Sequence, residues 1–413
     1  MNITKTKVSP RLPEPARKAY TEVVRRSTEA HATPLPLRSI KVCHLTPLQS
    51  RPDERAFTRE SLPATPHGVK PVIVGPHTIR AEVDGVSFMP TPTSRNRFLR
   101  ILSGLRMVRW ALPHRADIYH VHCPELIPAA MVLKFLFGKT VVYDTREDFP
   151  AMMLTKTYIH SPFRVFLSRI VAAVERLAAQ NLDGVITADS GSLRPLAKIG
   201  NSKKLVFYNF PNLRFFPLRA PGEKKYDIVY RGGLSERTGT FVLLQAIKLL
   251  VDSGIHPRVL MFGYTDDTAS TRAIRESMET LGISNLVTLG GVIPHEEMAR
   301  TLSSARILVC PLQKIPKFEN NIPVKVFEAW ACGLSVVATD LPPIRPFLRD
   351  RRYGLLVKPG DPEELARAIR NLLASPTLRD EFGRRARQAV VDRYNSSNEI
   401  SKLLAFYRRV LPC

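Results

Sequence analysis

Residues 320–340 read NNIPVKVFEAWACGLSVVATD, and this stretch decides the fold. The short apolar run before it, residues 306–312, has the β-branched composition of a buried parallel strand. We predict that Asn321 caps the helix that follows, that Pro323 lies in its first turn, and that Gly333 ends it before a second strand. The stretch therefore predicts one βαβ unit of a parallel sheet.

This unit carries a candidate binding site at the start of its helix. In an α/β sheet the loop after a strand lies at the carboxyl edge, where ligands bind, and the free N–H groups of the helix favour an anion. Lys325 and Glu328 are three residues apart and share one face of the helix, near that edge. From these residues alone, an exposed ion pair is an equally good interpretation.

The length and composition predict a globular protein of two domains. The chain has 413 residues, more than one hydrophobic core usually organises, and its hydrophobic content is 44%. Its best candidate for a membrane span, residues 128–143, is interrupted by Lys134 and Lys139 and is shorter than the roughly 18 apolar residues required. The five cysteines lie far apart without metal-ligand spacing, which indicates reduced thiols in a cytosolic protein.

The net charge of +24 predicts an anionic partner. Nucleic acid, an anionic membrane surface and phosphorylated substrates all fit, but the chain lacks the basic motifs and zinc-finger spacings of nucleic-acid modules. Residues 94–113 alternate arginine with apolar side chains at helical spacing. We expect this helix to face a membrane, with a solvated surface helix as the alternative, and the protein to be cytoplasmic and peripheral on the inner face of the cytoplasmic membrane.

Strand and helix patterns alternate along most of the chain, which predicts an α/β fold of two Rossmann-like, doubly wound domains facing each other across a cleft. The predicted divisions are a basic, proline-rich, disordered tail at 1–37, an N-terminal domain at 38–212, a linker at 213–225, a C-terminal domain at 226–393 and a final helix at 394–413 that packs back on the N-terminal domain.

Polar residues follow two consecutive predicted strands of the N-terminal domain. His122 belongs to the first cluster, and Asp144, Arg146 and Glu147 belong to the second. Because the carboxyl ends of parallel strands share one edge of the sheet, we expect both clusters to face the cleft.

A glycine-containing loop, RGGLSERTG at residues 231–239, follows the first predicted strand of the C-terminal domain. Glycines let backbone N–H groups approach a phosphate, and Arg237 has the forked guanidinium that clamps one. Turn glycines are common, so this loop alone is a weak signal.

Together these segments resemble family 4 of the retaining glycosyltransferases, whose architecture is called GT-B. The resemblance of the C-terminal half rests on PVKVFEAWACGLSVVA at 323–338, GGLSERTG at 232–239 and GLLVKPGDPEEL at 354–365. The N-terminal half resembles a branch of that family in bacterial polysaccharide assembly, through RPDERAF at 51–57, HVHCPELIP at 120–128 and YDTREDFP at 143–150.

The resemblance implies a role for each candidate residue. Glu328 would accept hydrogen bonds from the ribose hydroxyls of a nucleotide, and Arg237 with Lys325 would neutralise the diphosphate as it leaves. His122 would lie across the cleft, near the donor sugar. The other implied donor-binding residues are Gly233, Glu319, Asn320, Asn321 and Ile322, and the implied acceptor-side residues are Asp144, Arg146 and Glu147.

Some positions depart from the family pattern. Many members carry two glutamates eight residues apart, whereas Asn320 stands eight residues before Glu328. The lysine that is common before the loop glycine is Thr238, so the positive charge must come from Arg237 or Arg231.

The resemblance implies a retaining hexosyltransferase that needs no metal and no cofactor, with a UDP- or GDP-sugar as its co-substrate. Its acceptor would be lipid-linked or a polysaccharide at an anionic membrane surface, and nucleic acid is not an expected partner. Two alternatives stay open: another GT-B enzyme such as a sugar-nucleotide epimerase, and a non-catalytic protein that binds nucleotide sugars or nucleic acid.

Overall fold

The structure is a computed structural model. It describes residues 39–46, 54–76, 80–92, 97–155, 159–193, 196, 199–217, 224–265, 267–348, 350 and 352–412. The predicted tail at 1–37 lies outside these residues, and so does part of the predicted linker, residues 218–223.

Eight strands form a sheet in the first half of the chain. They are β1 Ile40–Leu45, β2 Val69–Gly75, β3 Ala81–Val83, β4 Val86–Pro90, β5 Ile118–His122, β6 Val141–Thr145, β7 Gly184–Thr187 and β8 Lys204–Val206. Their order across the sheet is β3-β4-β2-β1-β5-β6-β7-β8, and all neighbours are parallel except β3 and β4. The helical segments of this half are a π-helical segment Arg55–Ser61, a single turn Leu62–Ala64, α1 Arg97–Ala111, α2 Ile127–Phe135, α3 Phe149–Leu154 and α4 Ser161–Asn181.

Six parallel strands form the sheet of the second half. They are β9 Tyr226–Arg231, β10 Val259–Phe262, β11 Val287–Leu289, β12 Ala305–Cys310, β13 Ser335–Thr339 and β14 Gly354–Val357, in the order β11-β10-β9-β12-β13-β14. The helices are α5 Thr240–Asp252, α6 Thr268–Thr280, α7 His295–Ser303, α8 Pro316–Asn320, α9 Val324–Ala331, α10 Arg345–Leu348, α11 Pro362–Ala374, α12 Pro376–Asp392 and α13 Ser396–Val410. The α/β class and the two doubly wound sheets are as predicted.

The βαβ unit predicted from residues 320–340 is present as β12, α9 and β13, with the extra short helix α8 before α9. Gly333 follows α9 with φ +71°, the left-handed conformation expected of a glycine that ends a helix. The prediction that Asn321 caps α9 is wrong. Pro323 is the residue that precedes α9, and it makes no side-chain cap, while the Asn321 amide donates to Asp189 of the N-terminal half.

The buried side chains of α13 and α1 bear on two predictions about how these helices pack. The final helix, α13, packs on the first sheet, where Phe406 and Tyr407 are buried. Gly184 permits this close approach, because a Cβ there would lie 2.4 Å from the Phe406 ring. In α1, Met107 and Val108 are buried in the N-terminal core. One face of α1 therefore packs on the core, and the membrane-facing position that we expected at 94–113 stays a prediction.

A buried carboxyl under the first sheet makes stability depend on pH. Glu175 of α4 accepts hydrogen bonds from Tyr143 Oη at 2.6 Å and from Thr145 Oγ1 at 3.0 Å. Burial raises the pKa of Glu175 from 4.5 to about 7. The folded state therefore keeps a proton that the unfolded chain has released, so the stability that Glu175 contributes is complete below pH 4.5 and is lost as the pH rises to about 7.

We predict that Glu175→Gln, which cannot ionise, raises the free energy of unfolding above that of the wild-type protein at about pH 8, by on the order of 3 kcal/mol. The difference should shrink as the pH is lowered towards 4.5, where the wild-type carboxyl is protonated in both states. Urea unfolding at both pH values measures it, with Glu279→Gln at an exposed position as the control. A difference that does not change with pH would contradict the buried, protonated carboxyl.

Candidate functional site

A cleft of about 650 Å³ lies between the two halves, at the carboxyl edge of the second sheet. Its walls come from the loops that follow β6, β9, β10, β11 and β12, which is where doubly wound sheets bind ligands. Four cationic side chains and one carboxylate line the cleft. The cations are Arg231, Arg237, Lys317 and Lys325, and the carboxylate is Glu147. The excess of positive charge suits an anionic ligand.

The loop after β9 has a backbone conformation and a close backbone contact that only glycine allows. Gly232 and Gly263 have φ of +135° and +144°, and a Cβ on Gly263 would lie 1.8 Å from the carbonyl oxygen of Gly232. Inside the loop, Thr238 Oγ1 donates to the Gly233 carbonyl at 2.7 Å. Thr238 therefore fixes the shape of the loop, and the cationic side chains of this loop that line the cleft are Arg231 and Arg237.

Lys325 projects from the first turn of α9 towards this loop. Its Nζ lies 5.2 Å from the centre of the Tyr230 ring, and a Cβ on Gly232 would come within 2.6 Å of that nitrogen. Burial lowers the pKa of Lys325. An anion bound against the β9 loop would restore the charged form, because an opposite charge at close range favours the ammonium.

Glu328, the strongest candidate from the sequence, is buried one turn further along α9. Its Oε2 lies 2.7 Å from Arg231 Nη1, and its Oε1 accepts a hydrogen bond from Arg59 Nη2 at 3.3 Å. The Arg231 contact is an ion pair without hydrogen-bond alignment, so Oε2 accepts no hydrogen bond from the described residues. The carboxylate therefore lies buried behind Arg231 and does not itself line the cleft, and a ligand would reach Oε2 only if Arg231 moved.

Helix α8 and Asn321 connect the two halves through polar contacts. Lys317 Nζ lies 2.9 Å from Glu147 Oε2, and Asn320 Nδ2 donates to Asp148 Oδ2 at 3.0 Å. Asn321 Nδ2 donates to Asp189 Oδ2 at 2.9 Å. Of the predicted donor-binding residues in this segment, Asn321 and Ile322 line the cleft, whereas Glu319 and Asn320 do not.

The predicted N-terminal clusters come together, but mainly beneath the surface. His122 and Asp144 are paired in register on β5 and β6, and His122 Nδ1 lies 2.9 Å from Asp144 Oδ2. Both side chains are fully buried and neither lines the cleft. The position of His122 therefore differs from the expected one beside a donor sugar. Glu147 does line the cleft, and Arg146 lines a smaller cavity of about 100 Å³ next to it.

Ion pairs fix the ionisation of this buried cluster. Burial alone would raise the pKa of Asp144, but the Arg55 guanidinium, which donates to both of its oxygens at 2.7 and 3.0 Å, holds that pKa well below its usual range. Burial, and then Asp144, raise the pKa of Glu60 well above its usual range. Burial lowers the pKa values of His44 and His120. The imidazoles of His44 and His120 are therefore neutral near pH 7.

Arg55, Arg59 and Glu60 reach these contacts from the π-helical segment, which is not predicted from the sequence. Arg59 also donates to the Asn209 carbonyl at 2.5 Å and pairs with Glu54. Because it contacts Glu328 as well, Arg59 joins the two halves of the chain. Arg55 and Arg59 are four residues apart among apolar and small residues, a spacing that places both on one side of a helix. That spacing is the signal that could have identified them.

Residues 215–389 match the family described as glycosyl transferases group 1. The chain is 30% identical over 363 residues to alpha-maltose-1-phosphate synthase of Mycolicibacterium smegmatis, covering 81% of this chain and 90% of the relative. It is 24% identical over 308 residues to phosphatidyl-myo-inositol mannosyltransferase of Mycobacterium leprae, covering 74% and 76%.

The fold is similar to that of Anabaena HepE in its crystal structure with UDP-glucose. The TM-score is 0.67, with 15% sequence identity, and the match covers 89% of this chain and 99% of HepE. This likeness confirms the GT-B arrangement of the two doubly wound domains.

Proposed function

This chain belongs to the glycosyl transferases group 1 and is a glycosyltransferase, and we propose that it moves a hexose from a nucleoside-diphosphate sugar, with retention, to a lipid-linked or polysaccharide acceptor. The observation that carries the proposal is the cleft itself, where four cations face one carboxylate beside the buried Glu328. A diphosphate is the part of such a donor that needs these cations.

The chemistry of the cleft supports a reaction driven by the leaving group. When the bond between sugar and phosphate breaks, negative charge grows on the phosphate oxygen, and Arg237 with Lys325 is placed to stabilise it. Among the described residues that line the cleft, Glu147 is the one carboxylate, and Lys317 pairs with it. This supports attack on the same face of the sugar, in which the departing phosphate accepts the proton of the acceptor hydroxyl. The cations supply the charge that a metal ion supplies in other transferases.

The donor is supported by the crystal structure of HepE with UDP-glucose. We expect UDP or GDP, and their sugar conjugates, to raise the melting temperature, because a ligand at 100 times its Kd stabilises the folded state by about 2.7 kcal/mol. A screen of UDP, GDP, ADP and their hexose conjugates measures this shift. Stabilisation by none of them would overturn the proposal, whereas stabilisation with release of free nucleotide and altered sugar, without an acceptor, would favour the epimerase.

The acceptor side is supported by an apolar face on α4. Phe163, Phe166, Ile170 and Leu177 are between 42% and 55% exposed, and their helical spacing confines them to an arc of about 60°. The exposed Arg169 and Arg176 lie to one side of this arc. None of the described helices is both long enough and apolar enough to cross a membrane. A surface of aromatic and basic side chains suits an interface with anionic lipid, where a lipid-linked acceptor would be presented.

We predict that the double variant Phe163→Ser and Phe166→Ser lowers the partition onto vesicles containing phosphatidylglycerol by at least about tenfold, because each buried phenylalanine contributes about 1.5–3 kcal/mol. Vesicle co-sedimentation at matched ionic strength measures the partition. Val391→Ser, at an exposed apolar position on α12, is the control and should bind like the wild-type protein. Equal binding by all three proteins would show that α4 does not contact lipid.

A further inference from the structure

The N-terminal domain contains a closed group of metal-ligating side chains that the proposed reaction does not use. We propose that this group binds one divalent transition-metal ion of the zinc type, through His44, Glu60, His120 and His122. One ligand atom from each of these residues lies within 4.8 Å of the others, and all four side chains are buried. The sequence predicted no metal site, since these ligands are scattered over 79 positions and three structural elements.

The distances between the ligand atoms approach those of a tetrahedral site. His44 Nδ1 and His122 Nε2 are 3.0 Å apart. Glu60 Oε2 lies 3.6 Å from His44 Nδ1, 3.7 Å from His120 Nδ1 and 3.8 Å from His122 Nε2. Zinc bonds of about 2.0–2.2 Å place tetrahedral ligands roughly 3.3–3.6 Å apart. These four pairs therefore need shifts of only a few tenths of an ångström, and the remaining pairs, which lie within 4.8 Å, must close by up to roughly 1.3 Å to reach that spacing.

Glu60 is oriented as a ligand would be. Its Oε1 lies 2.9 Å from Arg55 Nε, while Oε2 faces the three imidazoles. Neither oxygen accepts a hydrogen bond from the described residues, although the side chain is 1% exposed. A buried carboxyl group whose oxygens lack hydrogen bonds is costly, and a cation at Oε2 would satisfy it.

A carboxyl group lies behind one of the imidazoles. Asp144 Oδ2, which accepts a hydrogen bond from Arg55 Nε at 2.7 Å, lies 2.9 Å from His122 Nδ1, and Nε2 on the other side of that ring lies 3.0 Å from His44 Nδ1. Without a metal ion, a proton must lie between His44 Nδ1 and His122 Nε2, and the ion would take its place. A carboxylate behind a metal-bound histidine is a common arrangement because it fixes the tautomer.

The four ligands would leave no open position on a tetrahedral ion, which is the pattern of structural rather than catalytic zinc. The site would tie the π-helical segment to β1 and β5. Since that segment also carries Arg59, which contacts Glu328, a bound ion would stabilise the segment that reaches the cleft.

The test uses the full chain without an affinity tag. After exhaustive dialysis and reloading with zinc, we expect about one zinc ion per chain by mass spectrometry of the metal content, and a higher melting temperature than that of the EDTA-treated protein. Glu60→Gln and His44→Ala should each lower zinc affinity at least about 100-fold. His256→Ala, at an exposed histidine, should bind zinc like the wild-type protein.

Loading with cobalt(II) makes the result independent of whether the ligand variants fold. A tetrahedral site in the wild-type protein gives intense visible absorption at one cobalt per chain, and EDTA removes it. Substoichiometric metal without that absorption, or equal zinc affinity of Glu60→Gln and His256→Ala, would overturn the proposal.

Discussion

Replacing Glu328 with Gln should lower kcat/KM by about 100-fold or more while the chain remains folded. Gln keeps the volume of the buried side chain but removes the charge that holds Arg231 at 2.7 Å. It also weakens the acceptor proposed for the ribose hydroxyls, and hydrogen bonds to charged groups contribute about 1.5–3 kcal/mol. Steady-state transfer at varied donor concentration measures the effect. Glu328→Ala should abolish turnover, but it also leaves two guanidinium groups without their partner.

The matched control for this variant is Glu363→Gln, a solvent-exposed glutamate of the same domain. It should retain wild-type kcat/KM, and both variants should keep the wild-type circular dichroism spectrum. If Glu328→Gln turned over the donor at the wild-type rate, Glu328 would be a structural ion-pair residue and the donor site would have to be placed elsewhere.

Replacing Arg237 with Ala should lower kcat by about 100- to 1,000-fold at saturating donor. The guanidinium lines the cleft at the end of the β9 loop, where the proposed diphosphate leaves. Its contribution grows with the charge on the leaving oxygen, so kcat should fall more than donor affinity does. The rate of nucleotide release from a single turnover, together with the donor Kd, separates the two effects.

Two further variants define what Arg237 contributes. Arg237→Lys keeps a positive charge without the forked geometry, so it should recover part of the lost rate. Arg275→Ala removes an exposed cation from α6 and should change nothing. An Arg237→Ala enzyme with unchanged kcat and weakened donor binding would show that the residue only holds the ground state.

The C-terminal half was largely predictable because several local signals agreed there. The apolar strand, Gly333 and the spacing of Lys325 all place one loop at the carboxyl edge, and the edge position brings Arg237 to the same cleft. Asn321 was wrongly predicted to cap α9, because capping is only one of the hydrogen-bonding roles that an asparagine side chain can take. Asp189, more than a hundred positions earlier, offered its amide a charged acceptor instead.

How deeply the polar clusters of the N-terminal domain are buried could not be predicted from the sequence. His120 and His122 are two residues apart on β5, so their side chains point to the same face of the sheet. A parallel strand that is covered on both faces has no alternation of polar and apolar residues, so its sequence does not show which face is closed to solvent. The π-helical segment was equally hidden. Arg55 and Glu60 belong to residue types that are usually exposed, and only their ion pair and the tertiary contact of Arg55 with Asp144 explain their burial.

The contacts of α8 and Asn321 with the N-terminal half also bear on the energetics of cleft opening. Each is a hydrogen bond or ion pair: Lys317 pairs with Glu147, and the amides of Asn320 and Asn321 donate to the buried carboxyl groups of Asp148 and Asp189. Water can replace each of these polar partners as this edge separates. Exposure of polar groups lowers the heat capacity, opposite to the effect of apolar surface, so these contacts contribute a negative term to the heat-capacity change of opening.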